Sequence, residues 1–197
     1  MDLLPMAFAS GWASGINAYA TVLILGLIGR FAHEPSVPTG FERTDVLIIM
    51  GVLAALDLTA DKIPYLDSVW DTLSTVIRPA AGALIGALIG GTQGGMPAIT
   101  LAAVGGAAAL ASHLTKTGIR MAINTSPEPA SNIVASLGND VSVASITSLA
   151  VLHPAIAAVC AGTMLVLGVL VVSLVFSRVV RGFQSVRRFL TPAARGA

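Results

Sequence analysis

Between Ala155 and Ser177 the chain carries no charged side chain. A helix rises ~1.5 Å per residue, so about 20 apolar residues in succession match the ~30 Å hydrocarbon core of a bilayer. The rest of the sequence has the same character. Charged residues make up 11% of the 197 residues and hydrophobic residues 55%, whereas a soluble domain is about 25% charged. Such a chain cannot wet its own surface, which excludes an ordinary soluble enzyme and a disordered segment. The single cysteine, Cys160, excludes a disulfide scaffold; it lies inside the apolar run and reads as a small buried hydrophobe. A net charge of +1 offers no polybasic field for nucleic acid. The N-terminal Met1–Pro5 lacks the positive flank of a cleavable signal, and a full-length apolar run follows it. The sequence therefore describes an integral membrane protein in contact with lipid.

Five apolar stretches are long enough, or nearly so, to cross: about Met6–Gly29, Val46–Thr59, from Pro79 to about Gly91, from Pro97 to about Leu114, and Ala155–Val180. Val141–Leu152 is too short to cross alone and reads as a half-helix, a re-entrant segment or a sixth, kinked crossing. The expected fold is an all-α polytopic transmembrane helical bundle of about five spans, with a short half-helix and an amphipathic helix. Residues 1–180 form one membrane domain and 181–197 a basic tail. Arg178, Arg181, Arg187, Arg188 and Arg195 come after the last apolar run with no acid among them. The positive-inside rule places that end in the cytoplasm, giving a multi-pass protein of the cell (inner) membrane.

Two polar segments, Asp57–Arg78 and His113–Asp140, are separated by two crossings and so lie on one membrane face. That face is cytoplasmic if two crossings follow the second segment and external if one does. Asp57 and Asp61 are four residues apart, one helical turn. Pro64 suits the first turn of a new helix, along which Asp67, Asp71, Ser74 and Arg78 form a stripe. This predicts an amphipathic helix in the interface plane. His113, Lys116 and Arg120 share a helix side, and pairing of Asp57 or Asp61 with Lys116 or Arg120 is expected. Pro64, Asp67, Val69 and Leu73 repeat the spacing of Pro129, Asn132, Val134 and Leu137, the mark of a candidate duplication.

Gly82, Gly86 and Gly90 recur every fourth residue and form a smooth helix groove. The groove suits packing against Gly105–Gly106 or Gly11/Gly15, or an interface between copies in a homo-oligomer. Asn17 lies in the middle of the first apolar stretch beside Gly15. There it either bonds a neighbouring helix or marks a broken helix that offers backbone groups to a substrate.

Taken together, Ser14–Tyr19, Asp61-Lys62-Ile63-Pro64 with Asp67 and Asp71, Arg78–Gly82, and His113 with Lys116 and Arg120 resemble the DUF4126 membrane proteins over about residues 10 to 155. The resemblance implies a small polytopic membrane protein and no particular activity.

Ionisable residues at membrane depth are costly, so they are functional candidates by default. Asn17, Asp57, Asp61, Lys62, Asp67, Asp71, Arg78, His113, Lys116 and Arg120 are the candidate substrate- or ion-binding residues. The favoured function is movement of a small solute or ion, with carboxylates as cation or proton sites and the bases as counter-ions. No cofactor is expected for that role. An alternative is a Mg²⁺-dependent enzyme acting on a lipid phosphate, with paired aspartates as ligands. No nucleophile–base arrangement accompanies it, and no catalytic residue is assigned. A third reading is a scaffold subunit locked by salt bridges.

Overall fold

The computed structural model describes residues 3–63, 65–93, 97–123 and 129–190. Residues 1–2, 64, 94–96, 124–128 and 191–197 lie outside the described residues, Pro64 and Arg195 of the sequence analysis among them, and of Arg187 and Arg188 only the backbone is described. All regular structure among the described residues is helical: α1 Leu3–Ala32, a 3-10 turn Thr39–Glu42, α2 Thr44–Ala60, α3 Leu66–Gln93, α4 Ala98–Ile123, α5 Pro129–Leu152 and α6 Pro154–Leu190. Five of these, α1 and α3 to α6, are long and apolar enough to cross a membrane. The large apolar side chains of α6 point outward, including Val159, Val166, Leu167, Leu170, Leu174 and Phe176. An apolar exterior of this extent is a lipid-facing surface.

These helices differ from the expected ones in two places. The stretch expected to lie flat as an amphipathic helix is instead the first half of α3, continuous through Pro79 with the third apolar run. Its charged stripe turns into the bundle, where Asp67, Asp71 and Arg78 are fully buried. The expected half-helix Val141–Leu152 is the second half of the 24-residue α5. Its first half falls in the second polar segment, where Asn132, Ser136 and Asp140 dilute the apolar signal.

The glycine groove of α3 packs within the chain. A side chain at Gly82 would meet Gly105 and Ala109, one at Gly86 would meet Leu101, and one at Gly90 would meet Ala98. Numbers rise along α3 as they fall along α4, so the pair is antiparallel. At one end α3 begins and α4 finishes, and the polar residues gather there; the opposite end carries the connection between these two helices.

The same pairings trace α1. Gly11 lies on Gly105 and Gly15 on Ala109 and Ser112, and the Ile16 carbonyl meets Lys116. The first half of α1 therefore runs parallel to α4, towards the charged end. At Asn17 the backbone leaves helical geometry (φ −149°, ψ 98°). Beyond it, Ala18, Tyr19 and Val22 share an apolar cleft with Ile77, Ala81, Leu84, Val46 and Met50, and Arg30 donates to Thr44 at the start of α2. From there α2 runs towards the charged end, because Asp57 meets Arg78 while Asp61, one turn later, meets Lys116. Thr44 and Arg30 therefore lie at the opposite end.

It follows that α1 is a re-entrant helical hairpin. Its halves, about 21 and 22 Å long at ~1.5 Å per residue, enter and leave on the same side with Asn17 at the tip. Neither half alone covers a ~30 Å core, although the whole helix is one of the five long and apolar enough to cross. The 17 residues of α2, about 25 Å long, carry the chain from that end of the bundle to the charged end, and α3 to α6 then run alternately between the two. Gly168 lies on Thr115 and Gly118 on Val172, so α6 parallels α4 and finishes at the charged end.

Candidate functional site

Position Asp67, Asp71 and Arg78 on one helix, His113, Lys116 and Arg120 on its antiparallel neighbour, and the two sets meet as rungs of a ladder. From Asp67 to Arg78 the ladder climbs about 16 Å, from the charged end to the middle of the bundle.

The deepest rung is Arg78. It donates to Asp57 Oδ1 at 2.8 Å, to Asp71 Oδ1 at 2.9 Å and to His113 Nδ1 at 3.3 Å. The Trp70 indole also donates to Asp57. A guanidinium has only donors, so Nδ1 of His113 accepts and its proton sits on Nε2. That Nε2 faces the Thr75 hydroxyl at 3.1 Å, and the hydroxyl donates onward to the Asp71 carbonyl. The imidazole is thus neutral in this arrangement.

The middle rung is Lys116, whose ammonium reaches Asp61 Oδ2 at 2.6 Å, the Ile16 carbonyl at 3.2 Å and Asp71 Oδ1 at 3.5 Å. The outer rung is Arg120. It donates to the Asp61 carbonyl at 2.6 Å, lies 3.4 Å from Asp67 Oδ2 and 3.6 Å from Asp61 Oδ2, and bonds Asn132. All seven charged groups of these rungs are buried, none more than 4% exposed. Outside them, Lys62 and Asp140 form a half-buried pair at 3.1 Å, supported by the Leu58 carbonyl and Ser136.

The tip of the α1 hairpin is built to meet this ladder. Asn17 Oδ1 accepts the Ala20 N–H at 2.9 Å, capping the second half-helix. In an unbroken helix that N–H would bond the Ile16 carbonyl. With it diverted, the Ile16 carbonyl is free for Lys116. Thr21 donates to the Asn17 carbonyl, and Ser112 fixes the approach through the Trp12 carbonyl at 2.7 Å. Of the two readings of Asn17, the backbone shows the broken helix. The side chain serves its own helix, with no bond to a neighbour among the described residues.

Every candidate read from the sequence thus falls in or beside one cluster, with both expected acid–base pairings of Asp61 present and Asp57 paired instead with Arg78. Trp70, Ser112, Asn132 and Asp140 were not singled out. Asn132 had a signal: it matches Asp67 in the repeated spacing, and both accept from Arg120 Nη1. Asp140 had one too, as a lone acid at the end of the second polar segment. Trp70 had none, because its role depends on how α2 leans on α3. Among the described residues no three His, Cys, Asp or Glu side chains are arranged to hold a metal ion. The aspartates of the cluster face Arg78, Lys116 and Arg120.

A buried ion-pair ladder inside a bundle with a lipid-facing exterior defines an integral, multi-pass helical membrane protein. The chain belongs to the DUF4126 family: the family described as "Domain of unknown function (DUF4126)" matches residues 4–174, further at both ends than the motifs alone reach. No curated protein and no solved structure matches it.

Proposed function

We propose that the protein moves a small solute or ion across the membrane. The observation that carries this reading is the broken re-entrant helix of α1, with its freed Ile16 carbonyl held against a buried charge ladder in mid-bundle. Helices interrupted at the membrane midplane, offering backbone groups beside ionisable side chains, are the usual architecture of a transport site. A scaffold gains nothing from the break, since a continuous apolar helix would pack at lower cost than buried charge.

Arg178 and Arg181 lie on the last turns of α6, at the ladder's end of the bundle. The positive-inside rule then makes that end cytoplasmic, and the ladder opens to the cytoplasm. The α1 hairpin enters from the opposite side, so ladder and hairpin tip meet in the middle as two halves of a path. In cells, a thiol introduced by Ser68→Cys on a Cys160→Ala background should react with an impermeant reagent only after the cytoplasmic face is exposed. Labelling from outside would reverse this orientation.

Transport is tested with proteoliposomes adsorbed on a solid support, recording currents on jumps of Na⁺, K⁺, Cl⁻, phosphate and pH. A saturable current for one of these should be reduced at least tenfold by Asp61→Asn and left unchanged by Asp45→Asn, whose exposed carboxylate pairs with Arg43 outside the site. Currents no different from those of empty liposomes for the whole panel would overturn the reading.

A further inference from the structure

The ladder does not balance. Among the described residues Asp57, Asp61, Asp67 and Asp71 face Arg78, Lys116 and Arg120, four acids against three bases, with His113 neutral by its hydrogen bonds. The half-buried Lys62 and Asp140 cancel each other and leave the excess in place. A net negative charge in a low-dielectric interior is strongly disfavoured, and a group so placed neutralises itself rather than remain unpaired.

We propose that the ladder binds one exchangeable proton, and that Asp71 carries it. Arg78 has its shorter contact with Asp57, Lys116 with Asp61, and Arg120 has Asp67 beside it. Asp71 alone has no base of its own: it takes the second contact of Arg78 at 2.9 Å and a long one from Lys116 at 3.5 Å, both through Oδ1. Its Oδ2 is fully buried and, like Asp57 Oδ2 and Asp61 Oδ1, has no partner among the described residues, so the sharing of bases, and not the free oxygen, singles out Asp71. Protonation there forms one O–H bond and removes one negative charge, leaving three carboxylates and three cations in matched pairs.

Asp71 meets Arg78 of its own helix and Lys116 of α4 directly. Asp57 and Asp61 of α2 share those two cations, and His113 of α4 meets Arg78. Asp67 and Arg120 form the next rung, the Lys62–Asp140 pair between the end of α2 and α5 lies outside it, and Tyr19 of α1 lines the cleft beside Ile77 and Ala81. Releasing the proton would set Asp71 against Asp61 for Lys116, whose third contact is the Ile16 carbonyl at the hairpin tip. Proton exchange is thereby tied to the broken helix, and the coupling ion of the proposed transport is the proton. That last step rests on the transport reading; the proton site itself does not.

Infrared difference spectroscopy of the purified protein at neutral pH tests the site directly. One protonated-carboxyl stretch per chain is expected, shifted by deuterium exchange and removed by Asp71→Asn. That variant should fold, since the amide matches the protonated acid in shape and charge. No such band in the unaltered protein would overturn the proposal whether or not the variant folds. So would a band that survives Asp71→Asn and is lost in Asp57→Asn or Asp61→Asn. A Na⁺-dependent rise in melting temperature without the band would assign the missing charge to a metal cation. A band without a pH-driven current retires the transport reading and keeps the proton site; a current without the band does the reverse.

Discussion

The two ends of the α3–α4 pair are held together by opposite means. Towards their connection the helices nearly touch: Gly82, Gly86 and Gly90 lie against Gly105, Leu101 and Ala98, with no room for a side chain between them. Towards the other end the same two helices are bridged by polar side chains: Lys116 and Arg120 of α4 reach the buried Asp71 and Asp67, and Arg78 of α3 meets His113. In lipid there is little hydrophobic drive for helix association, so close packing of small residues is an effective glue. Burying charge is a poor one, because the desolvation cost often exceeds the Coulombic gain. A protein already equipped for the first means has no structural need of the second. The charged half of the pair is therefore the half that structure alone does not explain.

The largest expected effect comes from breaking the charged half at its deepest rung. Arg78→Ala removes the cation shared by Asp57 and Asp71 and leaves the Asp57 carboxylate buried without its counter-ion. Loss of one partner from a buried pair costs about 3–5 kcal/mol, enough to lower the melting temperature severely or to prevent recovery of folded protein. Arg78→Lys should rescue little, because a single ammonium cannot reproduce the forked contacts to Asp57 and Asp71. The check is thermal unfolding in detergent beside the unaltered protein. A loss of under about 1 kcal/mol, the scale of an exposed pair, would mean that water reaches the rung and that the ladder is not dry.

The same contrast governs what the sequence disclosed. The bundle was legible because lipid imposes one requirement, apolar length, that a single sequence displays directly. The cluster was legible because the chain has so few charges that those at helical spacing have few possible partners. The direction of α1 was not. Asn17 and Gly15 flagged a break, but a break that bends a helix and one that reverses it look alike in sequence; only the partners of Gly11, Gly15 and Arg30 separate them. Nor was the burial of the Asp67–Arg78 stripe. An amphipathic helix is equally satisfied by water at an interface and by opposite charge in a bundle, and the choice depends on α4 supplying Lys116 and Arg120 at the right height. The length of α5 was hidden for the same reason, its polar first half facing Arg120 and Lys62 rather than solvent.

A smaller effect is expected from the close-packed half. At Gly86 an added side chain would meet the backbone of Leu101 and Ala102, atoms that cannot swing aside as a flexible side chain would. Gly86→Leu must therefore push α3 and α4 apart, and overpacking of this kind costs about 1–3 kcal/mol. Gly91 has open space where its side chain would be, so Gly91→Leu on the same helix is the matched control and should leave the melting temperature nearly unchanged. Because the groove is filled by α4 of the same chain, Gly86→Leu should lower stability without altering the size of the particle in detergent. A change in oligomeric size at unchanged stability would instead make the groove a contact between copies. The prediction also sharpens the comparison of the two ends. Displacement starting at Gly86 reaches the ladder only through the helix axes, about 12 Å along α3 from Arg78. The protonated-carboxyl band should therefore survive Gly86→Leu even as the melting temperature falls. Loss of both together would show that the glycine packing sets the height at which the charged rungs meet.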